Sequence, residues 1–374
     1  MFINYSKDDF DDLKKQHNIM VLVGNGFDIS TIKRIGTGNL GGRSTTYSDF
    51  YEYIKFYSAC NKNNIILKGI EKEKNIGNKA WNNFEAIIGK LVDDASMDYE
   101  KLEVDINEFS DIFSRFLNDL VEPELLIKLG NISRDNELAV NSMSKFLGDL
   151  KASDRRKIDF PKNITHYDLF NFLFVNFNYT PLLDNYVFLD KTQFDPHRHK
   201  NVDRNFSFYP NPEDIKNCES DVERIYSCYV LSNVIHPHGY QDIPRSILFG
   251  TDKEKYEKNK PQKRFMKSYW AQNEIKYKYY FEDTELFIIY GMSISETDGW
   301  WFSKIYESIC NNNSELIIYY YGNSIIENDI KELFINSCFK GARNKKDSVK
   351  VMEKIFVIKL DASTNYFLSY RGLK

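Results

Sequence analysis

Polar residues that could move protons or hold a ligand follow several short apolar runs of this 374-residue chain. His238 comes shortly after the apolar run 228–235, and Asn178 comes directly after the run 172–177. An imidazole titrates at roughly pH 6.5 when unperturbed and therefore suits a general base. A carboxamide offers hydrogen-bond donors and an acceptor, and can hold a water molecule. Asp28, which ends the segment Gly-Asn-Gly-Phe-Asp, could accept a bond from a hydroxyl group or stabilise a cation.

The apolar runs predict strands that would bring these residues together. Residues Met20 to Val23 are uniformly apolar, which is typical of a strand buried on both faces. Further strands are predicted at 172–177, 228–235, 246–249, 286–290, 316–321 and 351–358. Ligands of open α/β sheets bind at the carboxyl ends of the strands. The polar residues after these runs therefore predict one ligand site at one edge of a parallel sheet.

Two glycines follow the first predicted strand. Gly24 and Gly26 allow the backbone to turn sharply and to approach a ligand, because neither has a Cβ atom. A glycine turn that feeds a helix can present amide groups to a phosphate. The alternative is a tight turn without a ligand, because two glycines without the third are a weak fingerprint.

Composition predicts a folded protein without a general attraction to nucleic acid or membranes. Apolar residues make up 42% and charged residues 28% of the chain, and the formal net charge is -4. No run approaches 18 apolar residues, and residues 1–17 lack the apolar core of a signal peptide. The five cysteines are scattered without a C-x-x-C motif, which predicts no zinc site and favours a reducing cytoplasm.

The order of the patterns predicts an α/β fold with a Rossmann-like, mostly parallel sheet flanked by helices. Apolar stripes at helical spacing dominate residues 61–163. We therefore expect a discontinuous core formed by residues 1–60 and 164–374, interrupted by a large helical insertion at 61–163. The segment 261–279 is basic and aromatic, begins with a proline, and predicts a further helix.

Several of these residues also have plain structural interpretations. Asp28 and Asp298 could each cap a helix. Trp81 and Glu85 are spaced four apart, and the pattern alone favours a core tryptophan beside a surface glutamate. The lysine-rich segment 253–267 favours a solvated face.

His236 and His238 could form a hydrogen-bonded pair in a turn. The other strand-end residues favour a functional role for His238, with His236 as support.

Seven motifs occur in a fixed order, and together they resemble the bacterial AbiH family of phage abortive-infection proteins. The motifs are G-N-G-F-D (24–28), T-x-Y-S-D-F (45–50), W-x-x-x-E (81–85), F-N-Y-T (177–180), H-P-H-G (236–239), F-G-x-D (249–252) and Y-G-M-S-x-x-x-T-D (290–298). The resemblance spans about residues 20–300 and implies a role in defence against phage.

A more distant resemblance is to the sirtuin-like NAD-binding fold, whose members in defence systems commonly hydrolyse NAD. It implies a catalytic asparagine at Asn178 and a catalytic histidine at His238. From its chemistry we expect Asp28 to be a third catalytic residue of this site. The resemblance also implies that Gly24 and Gly26 cradle the pyrophosphate. It further implies nucleotide contacts at Gly291, Ser293 and Asn323. We expect the nucleotide-binding set to be completed by Asn25, Phe27, Tyr179, Gly239 and Asp298.

The chain departs from the sirtuin pattern in three ways. Asn25 and Asp28 stand where sirtuins usually have alanine and serine, and F-N-Y-T replaces T-N-Y-D. Paired C-x-x-C motifs are absent, so the zinc module of protein deacylases is missing. The missing zinc module disfavours peptide deacylation and leaves cleavage of the nucleotide itself open.

We therefore expect a cytoplasmic defence effector that binds NAD and hydrolyses its nicotinamide–ribose bond, without a metal. A protein partner or self-association would control its activation. One alternative is a non-catalytic nucleotide sensor or toxin component that acts through a protein partner. Another is a metal-dependent nuclease that uses Asp28, Asp49, Asp252 and Asp298, although these residues lack a recognisable metal-ligand spacing.

Overall fold

A computed structural model describes most of the chain. The described residues are 1–36, 42–78, 81–190, 206–212, 225–258, 260–322, 325–343, 345–361, 365–371 and 373. The predicted nucleotide contact Asn323 lies outside these residues.

Six strands of the described residues form one parallel sheet, and two more form a short antiparallel pair. The strands are β1 (Gln16–Val23), β2 (Leu169–Asn176), β3 (Ser207–Phe208), β4 (Tyr226–Ser227), β5 (Tyr229–Ile235), β6 (Leu286–Tyr290), β7 (Glu315–Tyr320) and β8 (Ile355–Lys359). The parallel sheet has the order β5-β2-β1-β6-β7-β8, and β3 pairs with β4. This is the strand order of doubly wound sheets. From β1 the chain adds β2 and β5 on one side of the sheet, and then β6, β7 and β8 on the other side, so the strand order reverses between β1 and β6.

The register of the sheet aligns the carboxyl ends of its central strands. Val23, the last residue of β1, lies opposite Asn176 of β2 and Tyr290 of β6. Val175 of β2 in turn lies opposite Ile235, the last residue of β5. The segments that follow these strands therefore begin side by side at one edge of the sheet.

Helices cover both faces of the sheet. Their bounds are α1 (Gly26–Ile35), α2 (Tyr47–Tyr57), α3 (Ile65–Asn75), α4 (Phe84–Asp93), α5 (Tyr99–Leu120), α6 (Pro123–Asp135), α7 (Leu138–Lys145), α8 (Ala152–Arg155), α9 (Leu182–Val187), α10 (Lys260–Lys263), α11 (Lys267–Trp270), α12 (Asn273–Lys276), α13 (Lys278–Asp283), α14 (Gly299–Asn312), α15 (Glu327–Ser337) and α16 (Lys345–Glu353). This arrangement confirms the predicted α/β class.

Successive residues of β1 pack into two separate cores. Ile19 and Val21 belong to a cluster with α1 to α7 and α9, whereas Met20 and Leu22 belong to a cluster with α13 to α16. Alternate side chains of a strand point to opposite faces, so a strand covered on both sides must be apolar throughout. This requirement explains the continuous apolar run 19–23 of β1.

Helices α3 to α8 all lie within residues 61–163, and no strand occurs in the described parts of this segment, 61–78 and 81–163. Their buried side chains share a core with the odd-numbered residues of β1. No helix of the described residues is both long and apolar enough to cross a membrane.

Three predicted elements differ from the structure. Residues 246–249 form no strand, because Ser246 ends a short 3-10 helix (Pro244–Ser246) and the amide of Leu248 donates to the carbonyl of His238 rather than to a strand of the sheet. The predicted helix at 261–279 is divided among α10 to α13. The last strand begins only at Ile355, since the preceding residues form α16.

Candidate functional site

A cavity of about 400 Å³ opens at the carboxyl edge of the sheet, beside the point where the strand order reverses. This volume lies within the usual range of small-molecule sites. Its lining residues are Gly24, Asn25, Asp28, Thr45, Thr46, Tyr47, Asn82, Asn83, Glu85, Phe113, Leu117, Phe177, Asn178, Tyr179, Thr180, His238, Lys267, Gly291, Met292, Ser293, Ser295, Thr297 and Asp298.

The turn from β1 into α1 packs directly against the turn that follows β6. The amide of Gly24 donates to the carbonyl of Tyr290, and the amide of Gly26 donates to that of Gly291, each at 2.9 Å. A Cβ atom on Gly24 would lie 2.8 Å from the Gly291 oxygen, and one on Gly26 would lie 2.8 Å from the Gly291 Cα. These glycines are therefore required for the contact between the two turns.

The same bonds determine which amides of the turn remain available to a ligand. The amide of Phe27 donates to the carbonyl of Gly24, so the amides of Gly24, Gly26 and Phe27 are all bonded within the protein. Within the described residues, the amides of Asn25 and Asp28 have no acceptor. At the start of α1, these two groups are the ones that could receive an anion.

Asp28 is buried in the first turn of α1, with 1% of its surface exposed. Its carboxylate accepts a bond of 2.9 Å from the side-chain amide of Asn178 and one of 2.6 Å from the hydroxyl of Thr180. The N-cap position belongs to Asn25, so the interpretation of Asp28 as a cap is wrong. Burial raises the pKa of Asp28 to about 7, although both hydrogen bonds oppose the shift.

Asn178 follows β2 and is held from several sides. Its Nδ2 group donates to Asp28 and, at 3.1 Å, to the carbonyl of Gly24. Both partners are acceptors, which fixes the orientation of the amide. Its Oδ1 atom accepts no bond from any described residue, so Asn178 offers the cavity an acceptor.

His236 supports the backbone of Asn178 and does not line the cavity. Its Nδ1 atom lies 3.1 Å from the carbonyl oxygen of Asn178, and its Nε2 atom lies 3.0 Å from Asp184 on α9. The ring also stacks on Tyr240, with 3.9 Å between centroids. His236 is thus a positioning residue.

His238 lines the cavity and is 4% exposed. Its ring packs edge-on against Phe177 at 4.8 Å, and its Nε2 atom lies 3.9 Å from the Asp298 carboxylate. No group in the described part of the chain hydrogen-bonds to the ring. Burial lowers the pKa of His238 well below its usual range, and the charge of Lys267 lowers it further. His238 is therefore neutral near pH 7, with an unprotonated ring nitrogen that faces the cavity.

Lys267, on α11, connects two carboxylates beside His238. Its Nζ atom lies 2.7 Å from Asp298 Oδ1 and 3.2 Å from Glu85 Oε1. Burial alone would lower the pKa of Lys267, but the carboxylates of Asp298, Glu85 and Asp252 outweigh it and raise that pKa. Lys267 is therefore a permanent cation inside the site.

A model of the family described as Bacteriophage abortive infection AbiH matches residues 20–320. The chain belongs to the AbiH family. The matched span begins within β1, ends with β7 and includes every cavity-lining residue. A comparison with curated proteins finds no match. Membership in this family indicates a role of this AbiH protein in phage abortive infection.

Most of the predicted site residues of this AbiH protein meet at the cavity. Nine line it: Gly24, Asn25, Asp28, Asn178, Tyr179, His238, Gly291, Ser293 and Asp298. Gly26 and Phe27 do not, because Gly26 packs on Gly291 and Phe27 packs edge-on against Tyr186 in the core. Gly239 also lies off the cavity. Its φ is +99°, and a Cβ atom there would lie 2.1 Å from the Ser246 oxygen.

Three predictions made from local patterns in the AbiH sequence are wrong. Asp298 holds the N-cap position of α14 but makes no cap bond, because its carboxylate binds Lys267. Lys267 is buried rather than solvated. Glu85 lines the cavity, whereas Trp81 packs against Tyr51. The W-x-x-x-E motif of the family resemblance was the available signal for Glu85, and no comparable signal marked Lys267.

The four aspartates of the nuclease alternative bind separate partners. Asp49 accepts from Thr46 at the start of α2, and Asp252 accepts from Ser268, both at 2.7 Å. Asp28 and Asp298 bind Asn178 and Lys267, as described above. Across the described ranges, no group of three or more metal-ligating side chains is placed to hold a metal ion.

Proposed function

We propose that this AbiH protein binds NAD in the cavity and hydrolyses the bond between nicotinamide and ribose during phage infection. The observation that carries the proposal is the pairing of a neutral, cavity-facing His238 with the unbound Oδ1 atom of Asn178. Together they offer a proton acceptor and a hydrogen-bond acceptor to one cavity. The distant resemblance to sirtuin-like NADases supports the proposal.

The location of the cavity supports a dinucleotide as ligand. Open α/β sheets bind ligands where their strand order reverses, and here this point lies between β1 and β6. The free amides of Asn25 and Asp28 suit one phosphate group. Ser293, exposed after the Gly291 turn, suits a ribose hydroxyl or a second phosphate.

The residues suit hydrolysis by water. As the glycosidic bond breaks, its electron pair passes to the ring nitrogen, and nicotinamide leaves as a neutral molecule. Water then attacks C1′ of the ribose and loses one proton. In this scheme Asn178 Oδ1 holds the water and His238 takes its proton, which gives ADP-ribose. Asp28 holds the amide of Asn178 in place.

Calorimetry combined with a turnover assay tests the proposal. NAD is titrated into the wild-type protein and into His238→Ala, and nicotinamide is measured in the same samples. We expect binding by both proteins and nicotinamide release by the wild type alone. Binding without release by the wild type would instead indicate a nucleotide sensor.

A further inference from the structure

The cavity contains a carboxylate that the scheme above does not use. Glu85 lies in the first turn of α4, and its side chain is 14% exposed. Both of its oxygens face Lys267, at 3.2 and 3.3 Å from Nζ. The residue comes from the helical segment 61–163, so this segment contributes a charged group to the site.

Glu85 differs from the other lining carboxylates in its partners. The two oxygens of Asp28 accept short bonds from Asn178 and Thr180. Asp298 takes the shortest contact of Lys267, at 2.7 Å. In the described part of the chain, no hydroxyl or amide group donates to Glu85. Its oxygens therefore retain lone pairs that can contact a ligand.

We propose that the Glu85 carboxylate contacts the nicotinamide ribose and stabilises the positive charge that develops at C1′ during cleavage. This inference rests on the proposed function. When the glycosidic bond of NAD breaks, the positive charge of the pyridinium ring passes to the ribosyl group. A fixed carboxylate beside that group stabilises the transition state, as carboxylates do in glycoside hydrolysis.

The surroundings of Glu85 suit this role. Lys267 holds the carboxylate in place, and its charge opposes the effect of burial. Burial is the larger effect and raises the pKa of Glu85 to about 7. The titratable groups that face it are Lys267, Asp298, Asp252, Tyr47 and Tyr179. The active, ionised form should therefore increase as pH rises through about 7.

Glu85→Gln tests the role with little change of shape, and Glu73→Gln on α3 is its matched control. Glu73 is also 14% exposed and pairs with Lys90 at 2.7 Å, but it lies off the cavity. We expect Glu85→Gln to lower kcat by about 100-fold or more with a small change in KM. It should also remove the rise of activity near pH 7. Glu73→Gln should retain wild-type kinetics.

A binding measurement decides the inference independently of turnover. Oxidised NAD carries a positive nicotinamide ring and NADH a neutral one, so a carboxylate at this position should favour NAD. We expect calorimetry to show tighter binding of NAD than of NADH by the wild type and by Glu73→Gln. The preference should disappear in Glu85→Gln.

The two readouts separate failure of the inference from failure of the proposed function. Wild-type turnover with an unchanged kcat and pH profile in Glu85→Gln would overturn the role of Glu85 alone. If NAD binds more tightly than NADH only when Glu85 is present, but no nicotinamide is released, the proposed hydrolysis is overturned. The contact between Glu85 and the nicotinamide end of NAD is then retained. Absence of binding to both nucleotides would overturn both.

Discussion

The side-chain amide of Asn178 donates a hydrogen bond of 2.9 Å to the carboxylate of Asp28, across 150 positions of the sequence. The bond joins the end of β2 to the first turn of α1. It also directs the Oδ1 atom of Asn178 away from Asp28, because the amide nitrogen faces the carboxylate. The buried acid and the cavity-facing acceptor are thus parts of one arrangement.

The first prediction concerns the pH dependence of stability through Asp28. Its pKa is about 7 in the folded protein and 3.8 ordinarily, so folding favours the protonated form. The contribution of this group is complete below about pH 4 and is lost as pH rises through 7. Asp28→Asn is neutral; its side-chain oxygen can still accept from Asn178, and its NH2 group can donate to the Thr180 hydroxyl in place of the bond that Thr180 donates to Asp28. Urea unfolding should show the variant gaining stability relative to wild type between pH 5 and pH 8.

Asp111→Asn, at an exposed position on α5, is the control and should show no such trend. A stability difference between Asp28→Asn and wild type that stays constant over this range would contradict burial as the cause of the shift.

The second prediction concerns the contact between the two glycine turns. Gly291 has a φ of +64°, and a Cβ atom there would lie 2.9 Å from the Phe27 nitrogen. Gly291→Ala should therefore lower the free energy of unfolding by roughly 1 to 3 kcal/mol. Gly130→Ala, in α6 with no atom within 4 Å of the new Cβ, should raise it by up to about 1 kcal/mol. Equal effects of both substitutions in chemical denaturation would refute the packing role.

A third prediction concerns buried His17, which lies near the amino end of β1, at the end of the sheet opposite the cavity. Its ring nitrogens lie 2.7 Å from Glu285 and 3.1 Å from Asp168. Burial alone would lower the pKa of His17, but these hydrogen bonds outweigh it and raise the pKa. The stabilisation of the folded protein by protonated His17 is therefore complete below the ordinary pKa of 6.5. It is lost as pH rises through the higher pKa that His17 has in the folded protein.

The contributions of Asp168 and Glu285 to stability have the opposite pH dependence. Burial would raise the pKa values of Asp168 and Glu285, but the bonds to His17 help to lower both. Their contribution is present above their ordinary pKa values and lost in acid. Denaturation midpoints of wild type should fall from pH 6 to pH 9, and His17→Asn should reduce this slope. An unchanged slope in the variant would show that His17 does not titrate with folding.

Uniformly apolar strands made much of this architecture predictable. β6 was predicted with its observed bounds, since a strand buried on both faces leaves a clear pattern. The glycine turn, Asn178 and His238 were predicted to meet because parallel strands end at one edge. The cavity brings these residues together. The division into core and insertion at residues 61–163 stays a prediction.

Residues supplied by helices were harder to predict. Glu85 and Lys267 carry side chains typical of surfaces, and only long-range packing buries them together. The segment 246–249 has strand-like residues, but Ser246 ends a 3-10 helix and the amide of Leu248 donates to His238, outside the sheet. The local sequence pattern indicates neither the contact of Glu85 with Lys267 nor the bond from Leu248 to His238. Sequence alone likewise did not show that the amides of Gly24 and Gly26 are used by the neighbouring turn.

Nicotinamide release from NAD by the purified protein tests the central claim most directly. The assay is run with and without lysate of phage-infected cells, so that an infection-dependent trigger is supplied. We expect wild type to release nicotinamide and ADP-ribose in equal amounts, and His238→Ala to be slower by about 100-fold or more while still binding NAD. Intact NAD after incubation with wild type under both conditions, or equal rates for the two proteins, would contradict the account.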